Sequence, residues 1–246
     1  MSGGRPVKLV RTAVAAASGA ALAFGGATAW DSPALELRTV EVGGNRNVAA
    51  SDVVLASGLS SRDHLLRMSA ERVASRVEEA PWVAAATVER ILPSKVRITV
   101  TERRAAAVVV AGPDGWLADG EGVVLERLPT GTTAAAPQGL PVLVELPVGT
   151  LATGDRLSQP QYRQALSILR ALPASIRDRV VTVRAASTER ITLEFGDGTT
   201  ILYGPAEALG DKAFAVEALL HKAELEKTPL ASIDVRVPTR PAVRLR

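Results

Sequence analysis

The sequence predicts an α+β protein with one N-terminal transmembrane helix, a small β-α-α-β-β domain, and a mainly antiparallel sheet domain with two packed helices. Three observations carry this expectation. Residues 12–30 hold no charged side chain and follow the basic residues Arg5, Lys8 and Arg11. Residues 37–102 change between strand-like and helix-like periodicity in one fixed order. Residues 104–246 break into many short β-branched runs separated by Gly, Pro and Asp, with only two long helical patterns among them.

Nineteen helical residues span about 28 Å, close to the hydrocarbon thickness of a bilayer. Basic residues on the short leading side predict a cytoplasmic tail at residues 1–11, a span at 12–30 and an exported remainder. The span is mostly Ala and Gly, with Val14, Leu22, Phe24 and Trp30 as its strongly apolar members. Ala27-Thr28-Ala29 also has the A-x-A form that a signal peptidase cuts. From these residues alone, anchor, removable signal and Ala-rich soluble helix all stay open. The first two export everything that follows.

Residues 37–42 read as a strand, turned by Gly43-Gly44-Asn45. Ser51 reads as the N-cap of a short helix that Gly58 ends, and Ser69 as the N-cap of a second with Val73 and Val77 on one face. Pro81 stops it. Strands at 84–91 and 96–102 follow, joined at Pro93-Ser94, with Val96, Ile98 and Val100 facing inward. Trp82 stands where an anchor between helix and sheet belongs. Three strands covered on one face by two helices is the economical packing.

In the second half, strands at 108–110 and 116–118 flank Gly112-Pro113-Asp114-Gly115. Asp119-Gly120-Glu121-Gly122 turns into a strand at 123–128, residues 129–139 form a loop, and 140–146 return to strand. A helix is predicted at 160–172, with Tyr162, Leu166 and Leu169 as its apolar stripe, then a strand at 180–184. Residues 191–195 and 200–203 make a hairpin about Gly196-Asp197-Gly198. A long helix at 207–225 precedes strands at 232–237 and 243–245.

The ordered run Val42-Gly43-Gly44-Asn45, Pro81-Trp82-Val83, Val88-Glu89-Arg90, Leu92-Pro93 and Val100-Thr101-Glu102-Arg103 resembles a POTRA domain. It is most similar to the version found in the FtsQ/DivIB family of bacterial cell-division proteins. Residues 116–123, the 191–198 hairpin, Lys212 and Ile233-Asp234-Val235-Arg236 are also similar to that family's C-terminal part. The resemblance implies a POTRA domain at 35–103, an FtsQ-type exported domain at 104–246 and an uncleaved anchor. It further implies a septal scaffold of the divisome whose usual partners are the bitopic coiled-coil proteins FtsB and FtsL. Two other readings compete: a POTRA-bearing secretion or outer-membrane assembly protein, and a secreted hydrolase behind a signal peptide.

Chemistry is sparse in this sequence. With 47% hydrophobic residues but only 3% aromatic, the cores must be built from Val, Leu, Ile and Ala. No Cys is present, which removes disulfides, thiolate metal sites and cysteine nucleophiles. A net charge of +3 with both signs interspersed leaves no footprint for nucleic acid. GxSxG, HExxH, P-loop and GxGxxG patterns are all missing. Asp119 and Glu121 read as turn residues, His64 as solvated, and His221 as half-buried on a stripe with Phe214, Ala218 and Leu225. The expectation is a non-enzymatic protein that needs no cofactor, metal or small-molecule substrate.

The candidate partner site lies near the C-terminus. The strand at 232–237 places Ile233, Val235 and Val237 on one face and Asp234 and Arg236 on the other. Its unpaired edge would template a strand from another protein. If residues 243–245 fold back over that edge, Arg240, Arg244 and Arg246 become a solvated basic end, or the terminal run with Val243 is itself the exposed edge and Arg244 makes the contact. The resemblance points to the same C-terminal strand region.

Overall fold

A computed structural model describes residues 32–129 and 139–246. The expected tail at 1–11, the span at 12–30 and nearly all of the 129–139 loop lie outside the described residues. The chain divides into two compact units that meet at Glu102 and Arg103.

In the first unit a 3-10 turn (Pro33–Leu35) leads to β1 (Thr39–Gly43), α1 (Ala50–Ser57), α2 (Ala70–Glu78), β2 (Val83–Ile91) and β3 (Lys95–Glu102). The sheet order is β1-β3-β2, with β3 parallel to β1 and antiparallel to β2. Alternation along β3 sends Val96, Ile98 and Val100 into a core shared with Val53, Val73, Val77 and Val83. Burying a Val side chain stabilises by roughly 1.5–3 kcal/mol, so α2 is held chiefly by Val73 and Val77. The Ser69 hydroxyl caps α2 by accepting from the Arg72 N–H at 3.2 Å. Its partner helix departs from expectation. α1 begins after Ala49, so Ser51 sits inside the first turn and caps nothing. Trp82 is only half-buried, and the anchor between helix and sheet is its neighbour Val83. His64 is half-buried rather than solvated, because residues 35–37 pair with the turn that carries it.

The second unit contains β4 (Ala105–Ala111), β5 (Asp114–Asp119), β6 (Val124–Arg127), β7 (Val142–Val144), α3 (Pro160–Ala171) and α4 (Ala174–Arg177). β8 (Val180–Ser187), β9 (Arg190–Phe195), β10 (Thr200–Leu202), α5 (Leu209–Glu226), β11 (Leu230–Asp234) and β12 (Ala242–Leu245) complete it. Among the described residues they build one nine-stranded sheet in the order β12-β11-β10-β9-β8-β7-β4-β5-β6. The two long helices appear as expected, and the short α4 is an addition. Most pairs are antiparallel, but β4–β7, β7–β8 and β10–β11 are parallel. Two of these parallel pairs follow from helical crossovers. α3 with α4 carries the chain from β7 to β8, and α5 carries it from β10 to β11, so each strand re-enters in the same direction.

Leu143, Val183, Leu193 and Ile201 of the sheet pack with Tyr162, Leu166 and Leu169 of α3 and Val216 and Leu220 of α5. The expected stripe on α5 is not the packed one. Lys212, Ala213, Val216 and Leu220 are buried, whereas Phe214 is 72% and Leu225 71% exposed and His221 is exposed between them. Lys212 explains this orientation. Its ammonium donates to the carbonyls of Tyr203 at 3.0 Å and Pro205 at 2.8 Å, so burying it satisfies two acceptors at the helix N-terminal end. Burial lowers its pKa, opposed by the nearby charges of Glu207 and Glu189.

Candidate partner-binding edge

β11 is assembled by a crossover, so its position in the sheet is set by α5 rather than by its own sequence. Ile233 and Val235 are fully buried beneath that helix layer. The Val235 N–H donates to the Leu202 carbonyl at 3.0 Å, extending the contact with β10 beyond the strand end. The expected free edge at 232–237 is not found, because β12 folds back antiparallel on β11. A turn at 237–240 makes this possible, closed by the Arg240 N–H on the Val237 carbonyl at 3.0 Å. Among the described residues the outer strand at this end of the sheet is therefore β12.

All four residues of β12 are exposed. Arg246 donates its N–H to the Pro229 carbonyl at 3.1 Å and its guanidinium to the Asp197 carbonyl, which pins the end of the strand. Backbone groups alternate along an antiparallel strand, so those of Val243 and Leu245 point away from β11 and have no strand partner among the described residues. Cross-strand neighbours share a face: Val243 lies opposite Ile233 and Leu245 opposite Leu230. These two side chains extend the apolar face past the edge of the core and remain 46% and 55% exposed. Ala242 and Arg244 take the other face, opposite Asp234 and Ser232.

The residues expected to form the site thus separate. Ile233 and Val235 are core. Asp234 and Arg236 hold each other: the guanidinium Nη2 is 2.6 Å from Oδ2, and Nε lies 3.0 and 3.1 Å from the two carboxylate oxygens. That pair lowers the Asp234 pKa and raises that of Arg236. Val237 is 56% exposed and Arg240 is exposed in the turn, while Val243 and Arg244 stand on the edge strand itself. The sequence reading missed Ala242 and Leu245, although the alternation Ala-Val-Arg-Leu was available as a signal.

Asp119 holds the expected turn through its own carboxylate. Asp119 is buried and accepts from the Glu121 and Val123 N–H groups at 2.9 and 2.8 Å and from Arg103 at 2.9 Å. The Tyr162 hydroxyl donates to the Asp119 carbonyl at 2.6 Å, and burial pushes that phenol's pKa up. Within the described residues no His, Asp and Glu cluster is disposed to hold a metal ion.

Known proteins match both units. A family model described as POTRA domain, FtsQ-type matches residues 35–103. A second, described as Cell division protein FtsQ/DivIB, C-terminal, matches residues 107–236. The cell division protein FtsQ of Mycolicibacterium smegmatis is 32% identical over 213 residues, covering 86% of this chain and 58% of the relative. The FtsQ of Mycobacterium tuberculosis is 30% identical over 237 residues, covering 96% of this chain and 68% of its own length. That of Corynebacterium glutamicum is 27% identical over 199 residues, covering 80% and 84%. The chain therefore spans well under two thirds of the mycolicibacterial relative. With both family models matched in order along two compact units, the chain belongs to the FtsQ/DivIB family of cell-division proteins.

Proposed function

We propose that this protein is a non-enzymatic scaffold of the divisome, anchored in the cell membrane by residues 12–30 with residues 1–11 in the cytoplasm. Residues 35–103 and 104–246 then act on the exported side, at the septum, by holding other division proteins together. The family resemblance names FtsB and FtsL as the partners of such a scaffold. The observation that carries the reading is β12, an exposed edge strand whose outward backbone groups have no strand partner among the described residues, beside the uncovered side chains of Val243 and Leu245. Unpaired strand edges are ordinarily blunted, since they template pairing with other chains. Here a partner strand would add to β12 by main-chain hydrogen bonds, place apolar residues on Val243 and Leu245, and set an acidic residue against Arg244.

The test is capture of the partner from detergent-solubilised membranes by wild type, Arg244→Glu, Arg236→Glu and a chain truncated after Val237. Arg244→Glu and the truncation should lose capture while the melting temperature shows the fold intact. Arg236→Glu should act less, because Asp234 already occupies that guanidinium. Full capture by every folded variant would remove β12 as the site.

A further inference from the structure

We infer that the solvent face of α5 is a second docking surface, separate from β12, and that its occupant is an amphipathic partner helix with basic margins. α5 runs for 18 residues, and Phe214, Ala218, His221 and Leu225 follow one another at intervals of four, three and four. That spacing is the seam by which one α-helix packs into another. At about 100° per residue the four side chains form one stripe directly opposite the buried Val216 and the partly buried Ala223. The core therefore has no use for the stripe. Phe214 and Leu225 are among the most exposed large apolar side chains of the described residues, at 72% and 71%. Ala218 between them leaves room for a large side chain from the partner, and His221 gives the seam a polar position of the kind that fixes register.

The margins say what kind of helix fits. One margin carries Glu217 and Glu224, the other Asp211 and Lys222. Lys222 lies 3.8 Å from Glu226, and Glu224 lies 3.3 Å from Arg179, while Asp211 and Glu217 make no ion pair among the described residues. The stripe is thus bordered by uncompensated acid. A second copy of this chain, packed antiparallel, would set the Glu217 and Glu224 margin against itself. A membrane surface is equally disfavoured, because interfacial helices carry Lys and Arg beside their apolar face. Lys or Arg flanking an apolar seam on a partner helix meets Asp211 and Glu217 with the right sign. Beside His221 and Glu217, a groove of about 300 Å³ reaching Ile176 and Arg179 offers space for one of the partner's flanking side chains.

The experiment uses the full chain in detergent and a synthetic helical peptide with Leu at the four-three-four positions and Lys on both margins. The Lys peptide should bind, and the same peptide with Glu margins should bind about tenfold more weakly or worse. Phe214→Asp, Leu225→Asp and the milder Phe214→Ser should each reduce affinity without moving the melting temperature. Asp211→Lys combined with Glu217→Lys should reverse the preference in favour of the Glu peptide. Arg244→Glu in β12 should leave peptide affinity unchanged, which keeps this surface distinct from the proposed strand edge. Absence of binding, binding that survives Phe214→Asp, or loss on Arg244→Glu overturns the inference. So does self-association abolished by Phe214→Asp. The chain contains no Cys, so Leu225→Cys takes a single fluorophore. Quenching of that label by brominated lipid in proteoliposomes would give the stripe to the membrane instead.

Discussion

Glu102 closes β3 and accepts hydrogen bonds from the N–H groups of Arg46, Asn47 and Val48 at 2.6, 2.9 and 3.0 Å, with the Asn47 side-chain amide at 2.8 Å. Burial alone would raise its pKa, but those donors outweigh it and hold the carboxyl down to about 2. A carboxyl depressed on folding stabilises above its unfolded value, near 4.5, and that contribution disappears as pH falls toward 2. Glu102→Gln should cost about 1.5–3 kcal/mol at neutral pH, nearer the lower figure because the group is partly exposed. It should also flatten the acid limb of stability between those two pH values, as read by melting at stepped pH. An unchanged acid limb would show that the loop holds without the charge. Trp82 makes the opposite case. Because Val83 is the buried anchor, Trp82→Ala should cost less than the 3–5 kcal/mol typical of a core tryptophan, measured by denaturant unfolding. Ser69 and Tyr162 were legible because a cap and an apolar stripe are local patterns. The Glu102 contacts were not, since their donors lie more than fifty residues away in sequence and only the folded sheet brings them near.

Helices and strands were easier to read than the way they face. The long α5 is clear from its composition, yet its apolar spacing offers two stripes, and the more hydrophobic-looking one, through Phe214 and Leu225, is the one left in solvent. A buried lysine decides between them, and burial of a charge is what periodicity alone never favours. The helical assignment of faces predicts a sharp contrast. Phe214→Ser should change stability by no more than about 0.5 kcal/mol, whereas Leu220→Ala should cost about 2–5 kcal/mol. Equal losses in urea unfolding would mean that Phe214 packs after all. The same limit explains the C-terminal strands. Alternation located them, but the choice of edge depended on whether residues 242–245 return to β11. A short turn and the anchoring of Arg246 settle that, and neither is a hydrophobic pattern. The parallel pairs were likewise invisible until the crossovers fixed strand direction.

At the scale of the whole chain, two separate cores meet a single short joint. Glu102 is tied into the first unit by the N–H groups of 46–48, and the next residue, Arg103, is tied into the second by Asp119. An ion pair to one buried carboxylate on one side and backbone donors on the other leave each unit with its own last anchor. The first core holds Leu65, and the second holds Leu193, each almost completely shielded from solvent. Cores that share no buried residue should respond separately to a cavity. Leu65→Ala, expected to cost about 2–5 kcal/mol, should speed amide exchange in residues 32–102 and leave 139–246 at the wild-type rate. Leu193→Ala should do the reverse. Topology belongs to the same scale. A reporter active only outside the cytoplasm, fused after Arg246, should be active if Arg5, Lys8 and Arg11 hold the N-terminus inside. Inactivity of a stably expressed fusion would remove the exported placement on which the scaffold reading depends. Exchange that quickened in both units after either substitution would show one cooperative body, and the joint at Glu102 and Arg103 would then transmit unfolding rather than confine it.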